Sequence, residues 1–293
     1  TGFPARTVYR VPAATLAGRS PLAAAKTALA LARGTAAALQ ILGKVKPAVV
    51  VGFGGYPTFP PLVAAKLRGI PTVLHEQNAV LGRANRMLAP RVTGIATSFE
   101  SVKFLDGELR AKAKFTGNPV RQVAVDAAAS AYVASGPSAP FNLLVFGGSQ
   151  GARFFSDAVP PAVARLSPAL RQRLNITQQA REEDLERVRE AYAESGIRAE
   201  VAPFFKDLPR RLAAAHLVIG RAGASTVAEL TVIGRPSLLV PLPHALDNDQ
   251  LNNARHLAES GGGWCIEQKD LSPERLASEI ERFAAEPERL AAA

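Results

Sequence analysis

Five times along this chain a short apolar run ends in a glycine-rich or polar loop. The loops are 52–56, 75–78, 147–151, 220–229 and 241–250. Strands alternating with helices of about ten to fifteen residues pair in parallel, through right-handed crossovers. Ligands on such sheets bind beyond the carboxyl ends of the strands. All five loops sit at such ends, so the pattern predicts two sheets whose loops line one cleft.

The best defined of them is His216 to Glu229, HLVIGRAGASTVAE. Leu217, Val218 and Ile219 read as a buried strand, Gly220 to Gly223 as a tight turn, and Ser225 and Thr226 as the first turn of a helix. Glycine lets a ligand approach the backbone closely. The unpaired amides and the dipole at a helix start favour negative charge. The stretch therefore suits a phosphorylated ligand. Glu229 would repel a diphosphate and makes better sense a few ångströms away, accepting hydrogen bonds from sugar hydroxyls. Taken alone, the same residues also read as an ordinary strand–turn–helix.

Around this stretch the chain divides. A weak strand is expected at Thr7 to Val11, then a long Ala/Leu helix over 21–43, started by Pro21 and ended by Gly43. Lys26, Arg33 and Gln40 recur along it every seven residues. That stripe fits a surface helix packed on a sheet, or one whose basic and apolar face touches a membrane. Strands follow at Ala48–Val51, Thr72–Leu74 and Val92–Ala96. Residues 1–122 form the first doubly wound half, and the Ala/Ser/Gly/Pro-rich residues 123–140 a linker. The pattern restarts over 141–293, with strands at Asn142–Phe146, Leu174–Thr177, Glu200–Ala202, Leu217–Ile219, Ser237–Val240 and Trp264–Glu267.

At 293 residues there is room for two such domains. One cysteine, Cys265, excludes an internal disulfide and fits a reducing compartment. No apolar run is long enough to span a bilayer. The net charge of +10 suggests an anionic membrane, nucleic acid or a phosphate-bearing substrate. No Lys/Arg block with interleaved aromatics is present, which counts against nucleic acid. The chain opens on Thr1 and its one methionine is Met87, so it reads as processed or incomplete.

The loops exclude several chemistries. Gly147-Gly148-Ser149-Gln150-Gly151 lacks the spacing of a dinucleotide fingerprint, and no P-loop or G-x-S-x-G nucleophile occurs. His75-Glu76 is not followed by a second histidine at the metal-binding spacing, so no metal is expected. What remains is Asn78, Ser149, Thr226, Asn248 and Gln250, with Arg121 and Glu229. Amides and hydroxyls suit sugar hydroxyls, and an arginine fork suits a diphosphate. Together they point to a nucleotide sugar.

GFGGYPTFPP, VLHEQNAVLGRANR, TGNPVR, VFGGSQGA, RAGASTVAEL and DNDQLNNA occur in this order over nearly the whole chain. In this they resemble the MurG family of peptidoglycan glycosyltransferases, family 28. The resemblance implies a GT-B fold, two Rossmann-like α/β domains facing each other across a cleft. It implies transfer of GlcNAc from UDP-GlcNAc to the MurNAc 4-hydroxyl of undecaprenyl-pyrophosphoryl-MurNAc-pentapeptide, with inversion and without cofactor or metal. It also implies work at the cytoplasmic face of the inner membrane, on an anionic lipid surface and with no nucleic acid. Carried over by residue, Ser149 lies near the diphosphate and Phe205 offers its backbone to uracil. Ala224, Ser225, Thr226, Val227, Ala228 and Glu229 wrap ribose and phosphate, with Glu229 on the ribose diol. Asp249 and Gln250 meet the GlcNAc hydroxyls. Arg121 and Asn78 complete the donor contacts, and Gly54, Gly55, Tyr56, His75 and Glu76 fall where the acceptor is expected.

The chain departs from the family at Thr177-Gln178-Gln179-Ala180-Arg181 and, mildly, at Pro57-Thr58-Phe59. The family's opening G-T-G-G-H loop, whose histidine is the favoured general base, has no counterpart here, so the first domain reads as incomplete. Three other readings share much of this pattern: a different GT-B transferase, a UDP-GlcNAc epimerase, and a UDP-sugar-binding chain without activity.

Overall fold

In the computed structural model, residues 5–14, 21–148 and 152–293 are described. The chain forms two compact units that divide between Gly117 and Asn118. In the first, α1 (Pro21–Val45) precedes β1 (Val50–Gly52), α2 (Phe59–Leu67), β2 (Thr72–Glu76), α3 (Arg83–Leu88), β3 (Gly94–Thr97), α4 (Gly107–Ala111) and β4 (Ala113–Phe115). The strands pair in parallel in the order β1-β2-β3-β4. Leu62, Leu74, Leu81, Leu88 and Ile95 fill the core between this sheet and its helices. Residues 7–11 form no strand and pair with none of the four. Gly43 does not end α1, which continues to Val45 and stops where Lys46 takes a positive φ of 47°. A Cβ on Gly43 would meet the Arg68 guanidinium at 2.6 Å. This glycine therefore admits a neighbour that donates to Leu39 O, instead of breaking the helix.

The second unit opens with α5 (Gln122–Ala127) and β5 (Phe141–Phe146), followed by α6 (Arg153–Ala164), α7 (Pro168–Arg173), β6 (Leu174–Gln179), α8 (Leu185–Glu194), β7 (Arg198–Ala202) and α9 (Leu208–Ala214). Then come β8 (Leu217–Gly220), α10 (Ala224–Ile233), β9 (Ser237–Leu239), α11 (Asp249–Glu259), β10 (Gly263–Cys265), α12 (Pro273–Ala285) and α13 (Pro287–Ala291). Six parallel strands lie in the order β10-β9-β8-β5-β6-β7. The order reverses between β5 and β8, and a parallel sheet opens a crevice at such a switch point. Phe141, Leu143, Val145, Leu217 and Ile219 pack with Phe155, Val159, Ile280 and Phe283 as the core. The stretch expected to be a linker, 123–140, begins with most of α5, and α5 packs on α9 and α10 within this unit.

Candidate functional site

The switch point carries the site of the second unit. Two adjoining cavities share Gly148, Ser225 and Thr226. One, with about 910 Å³ of empty space, is lined by Arg121, Phe146, Gln179, Phe204, Phe205 and Glu229 among others. The other, about 1580 Å³, reaches Arg153, Arg181, Arg221, Leu242, Gln250 and Gln268. Gly148 supplies the floor with φ +86°, a conformation that side-chain-bearing residues rarely adopt. A Cβ there would touch nothing within 4 Å, so the backbone angle and not space calls for glycine. No side chain caps α10, whose preceding residue is Gly223. Its first turn thus presents amides and the positive end of its dipole beside both cavities.

Two charged residues line the first cavity, and they meet each other. Arg121 Nε donates to Glu229 Oε1 at 2.8 Å and Arg121 Nη2 to Oε2 at 3.0 Å. The bond to Glu229 and its charge hold the Arg121 guanidinium above its ordinary pKa. The neighbouring residues obey helix geometry. Val227, 5% exposed, turns into the core, and neither it nor Ala228 lines a cavity, whereas Ala224, Ser225, Thr226 and Glu229 do. Phe205 is buried beside the first cavity, with the Arg211 guanidinium 4.3 Å above its ring. Gln250 lines the second cavity and its Oε1 accepts from Leu242 N, while Asp249 Oδ1 accepts from Gln250 N and lines neither. Ser149 lies outside the described residues.

Two residues outside the expected site hold the loops in place. Gln179 Oε1 accepts from Gly147 N and its Nε2 donates to Pro203 O, which ties the end of β6 to the glycine loop. Arg221 is 7% exposed. Its guanidinium donates to Val240 O, Pro241 O and Gln268 Oε1 and lies near the rings of Phe154 and Phe155. No carboxylate pairs with it among the described residues, and burial lowers its pKa to about 10. A cation without a counter-ion beside the amide-rich start of α10 makes the second cavity a place for negative charge.

The first unit presents its own cluster at the end of β2. His75 Nδ1 accepts from Gln77 Nε2, so His75 Nε2 carries the proton and donates to Gly117 O at 3.0 Å. Gly54 and Gly55 both take positive φ, and a Cβ on Gly54 would stand 3.3 Å from Asn85 Nδ2. Glu76, which the family resemblance puts near the acceptor, is 2% exposed, and its carboxylate accepts from Asn78 N, Asn78 Nδ2, Gly82 N and Asn85 Nδ2. The loop folds back over the carboxylate because a buried charge must be paired or hydrogen-bonded. Glu76 therefore shapes the loop that carries Asn78. Tyr56 begins a single 3-10 turn beside the two glycines.

The Glycosyltransferase family 28 C-terminal domain matches residues 142–293, and the Glycosyltransferase family 28 N-terminal domain residues 6–97. A relative from Methylobacterium sp. (strain 4-46) is 55% identical over 293 residues, 100% of this chain and 79% of its own. One from Nitrobacter winogradskyi is 57% identical over 282 residues, 96% of this chain and 77% of its own. Both are named UDP-N-acetylglucosamine–N-acetylmuramyl-(pentapeptide) pyrophosphoryl-undecaprenol N-acetylglucosamine transferase. The crystal structure of Acinetobacter baumannii MurG aligns at a TM-score of 0.73 and 29% identity, over 97% of this chain and 79% of that one. A UDP-GlcNAc 2-epimerase from Neisseria meningitidis bound to UDP-GlcNAc aligns at 0.62 over 94% of this chain and 78% of that one. Its identity is 11%, which speaks for the fold alone.

Proposed function

This chain belongs to glycosyltransferase family 28, and on that premise we propose that it moves GlcNAc from UDP-GlcNAc to the MurNAc 4-hydroxyl of undecaprenyl-pyrophosphoryl-MurNAc-pentapeptide. Its fold is GT-B, and it is a hexosyltransferase of peptidoglycan synthesis. The observation that carries the reading is 55% identity over the whole chain to a relative bearing that name. The epimerase shares the fold at 11% identity and does not compete on that ground.

The second unit takes the donor. A cavity with an apolar wall at Phe205 and a carboxylate at Glu229 suits a nucleoside, uracil on the first and ribose on the second. The start of α10 and the field of Arg221 suit the diphosphate, and Gln250, held by Leu242 N and with Asp249 beside it, suits the GlcNAc hydroxyls. The first unit takes the acceptor at Gly54, Gly55, Tyr56 and His75. Asn78, held by Glu76, adds a donor contact. The acceptor O4 forms a bond to the anomeric carbon as the bond to the β-phosphate oxygen breaks, with inversion. The electron pair leaves on UDP, where donor amides and cations stabilise it. The 4-hydroxyl proton passes to a general base.

A lipid-linked acceptor supports a peripheral position at the cytoplasmic face of the inner membrane. None of the described helices is long and apolar enough to cross a membrane. Support for surface contact comes from the net charge of +10 and from α1, where Leu29 is 52% exposed between exposed Lys26 and Arg33. A panel of UDP-sugars and acceptors tests the function. Transfer confined to UDP-GlcNAc and a lipid I analogue is expected. Transfer to diacylglycerol, or conversion of UDP-GlcNAc to its 2-epimer, would replace this reading with another.

A further inference from the structure

Arg121 and Glu229 are the two charged residues lining the nucleoside cavity, and each occupies the other. The arginine fork and a ribose 2′,3′-diol both present two adjacent donors, so both address the same two carboxylate oxygens. The two side chains are unequally placed. Glu229 sits within α10 with its side chain 11% exposed, while that of Arg121 is 57% exposed. The backbone of Arg121 is fixed, because it caps the start of α5, which packs on α10. Only the outer length of its side chain is free to swing. Solvent around the exposed guanidinium screens the pair and lowers what its exchange costs.

We propose that Arg121 holds the place of the ribose diol on Glu229, and that exchange of the two makes the site select a phosphorylated nucleoside. This rests on the donor reading given above. A nucleoside that enters must displace the guanidinium and leave Glu229 with neutral partners only. A nucleoside diphosphate displaces it too, but offers the released arginine a phosphate with charge-assisted bonds. The diphosphate therefore recovers what the diol displaces, and uridine alone does not. The same exchange resolves the repulsion between Glu229 and the diphosphate, since Arg121 comes to stand on the phosphate. When UDP leaves, Arg121 returns to Glu229 and closes the cavity to bare nucleosides.

The test measures affinities of uridine, 2′,3′-dideoxyuridine and UDP for the whole chain and for Arg121→Ala, Arg121→Gln and Arg121→Ala combined with Glu229→Gln. Both Arg121 variants are expected to bind uridine about two- to five-fold more tightly, the worth of an exposed ion pair. They should bind UDP ~10- to 100-fold more weakly, the worth of hydrogen bonds to a charged group. Dideoxyuridine, with no diol to compete, should not gain. Uridine binding that is unchanged or weaker in both Arg121 variants would overturn the exchange. An equal gain for dideoxyuridine would also overturn it, because Arg121 would then only be blocking space. If Glu229→Gln, added to Arg121→Ala so that no competitor is left, keeps the uridine affinity of Arg121→Ala unchanged, the ribose assignment itself fails, and that outcome is distinct from the other two.

Discussion

At the scale of single residues, the second unit separates recognition from support. Glu229 and Arg121 line the first cavity, while Arg221 lines the second as a buried cation. Replacing Arg221 by Gln should weaken binding in proportion to phosphate charge. UDP should lose at least about ten-fold more affinity than uridine, since the missing field acts on charge in a low-dielectric setting. Equal losses for the two ligands would reduce Arg221 to a packing role, and parallel calorimetric titrations decide this. His216 gives a pH prediction. Its Nδ1 accepts from Asn142 N, and burial, with Arg173 and Arg235 nearby, lowers its pKa below the ordinary value. The unfolded chain therefore takes up the proton first. The neutral ring's contribution to stability is complete above the unfolded pKa of ~6.5 and declines as pH falls below it toward the folded value. The Tm difference between the protein and His216→Phe should shrink between pH 7 and pH 5.5. Glu229 stood out in the sequence because a carboxylate is an anomaly beside a turn expected to hold phosphate, and the structure puts it on a cavity wall. Glu76 was named for the acceptor by resemblance, and a His-Glu pair at a strand end carries no sequence signal of which way the carboxylate faces. Only the fold of 77–85 back over the carboxylate shows it facing inward. Arg221 left no signal, since its lack of a counter-ion is a property of packing.

At the scale of elements, α10 is built asymmetrically. Its start is left open toward the cavities, and its end is closed twice over. Gly234 terminates it at φ +64°, and Arg235, 3% exposed, donates to Ile233 O and Gly234 O, and also to Ala213 O and Ser130 O. One cation thereby caps α9 and α10 and ties them to the segment after α5. Arg235→Leu strands those carbonyls and should cost about 2–4 kcal/mol of stability by urea denaturation. A loss below about 0.5 kcal/mol would mean that water replaces the guanidinium without difficulty. The long periodic elements were legible because their faces alternate between core and solvent. Short α5, α7 and α13 were not, since five or six residues carry too little periodicity to register. Gly43 was misread for a related reason: only the Arg68 side chain lying across it explains a glycine inside α1.

At the scale of the whole molecule, two parallel sheets with their loops at the carboxyl strand ends were readable from the alternation of strands and helices, whereas the strand order and its reversal between β5 and β8 were not, since pairing is not written in that alternation. The boundary was less readable than the sheets, since composition marked 123–140 while contacts divide the chain at Gly117. The charge of +10 makes a further prediction. Binding to vesicles containing phosphatidylglycerol should exceed binding to neutral vesicles and should fall steeply between about 0.05 and 0.3 M salt. Equal binding to both vesicle types would remove the electrostatic part of the surface contact. The most direct test of the central claim is the product formed from UDP-GlcNAc and a lipid I analogue, followed by mass and by UDP release. The account predicts an acceptor heavier by one GlcNAc residue, one UDP released per acceptor modified, and a rate greatly reduced by Glu229→Ala. UDP-GlcNAc bound or consumed without any change in the acceptor would contradict it.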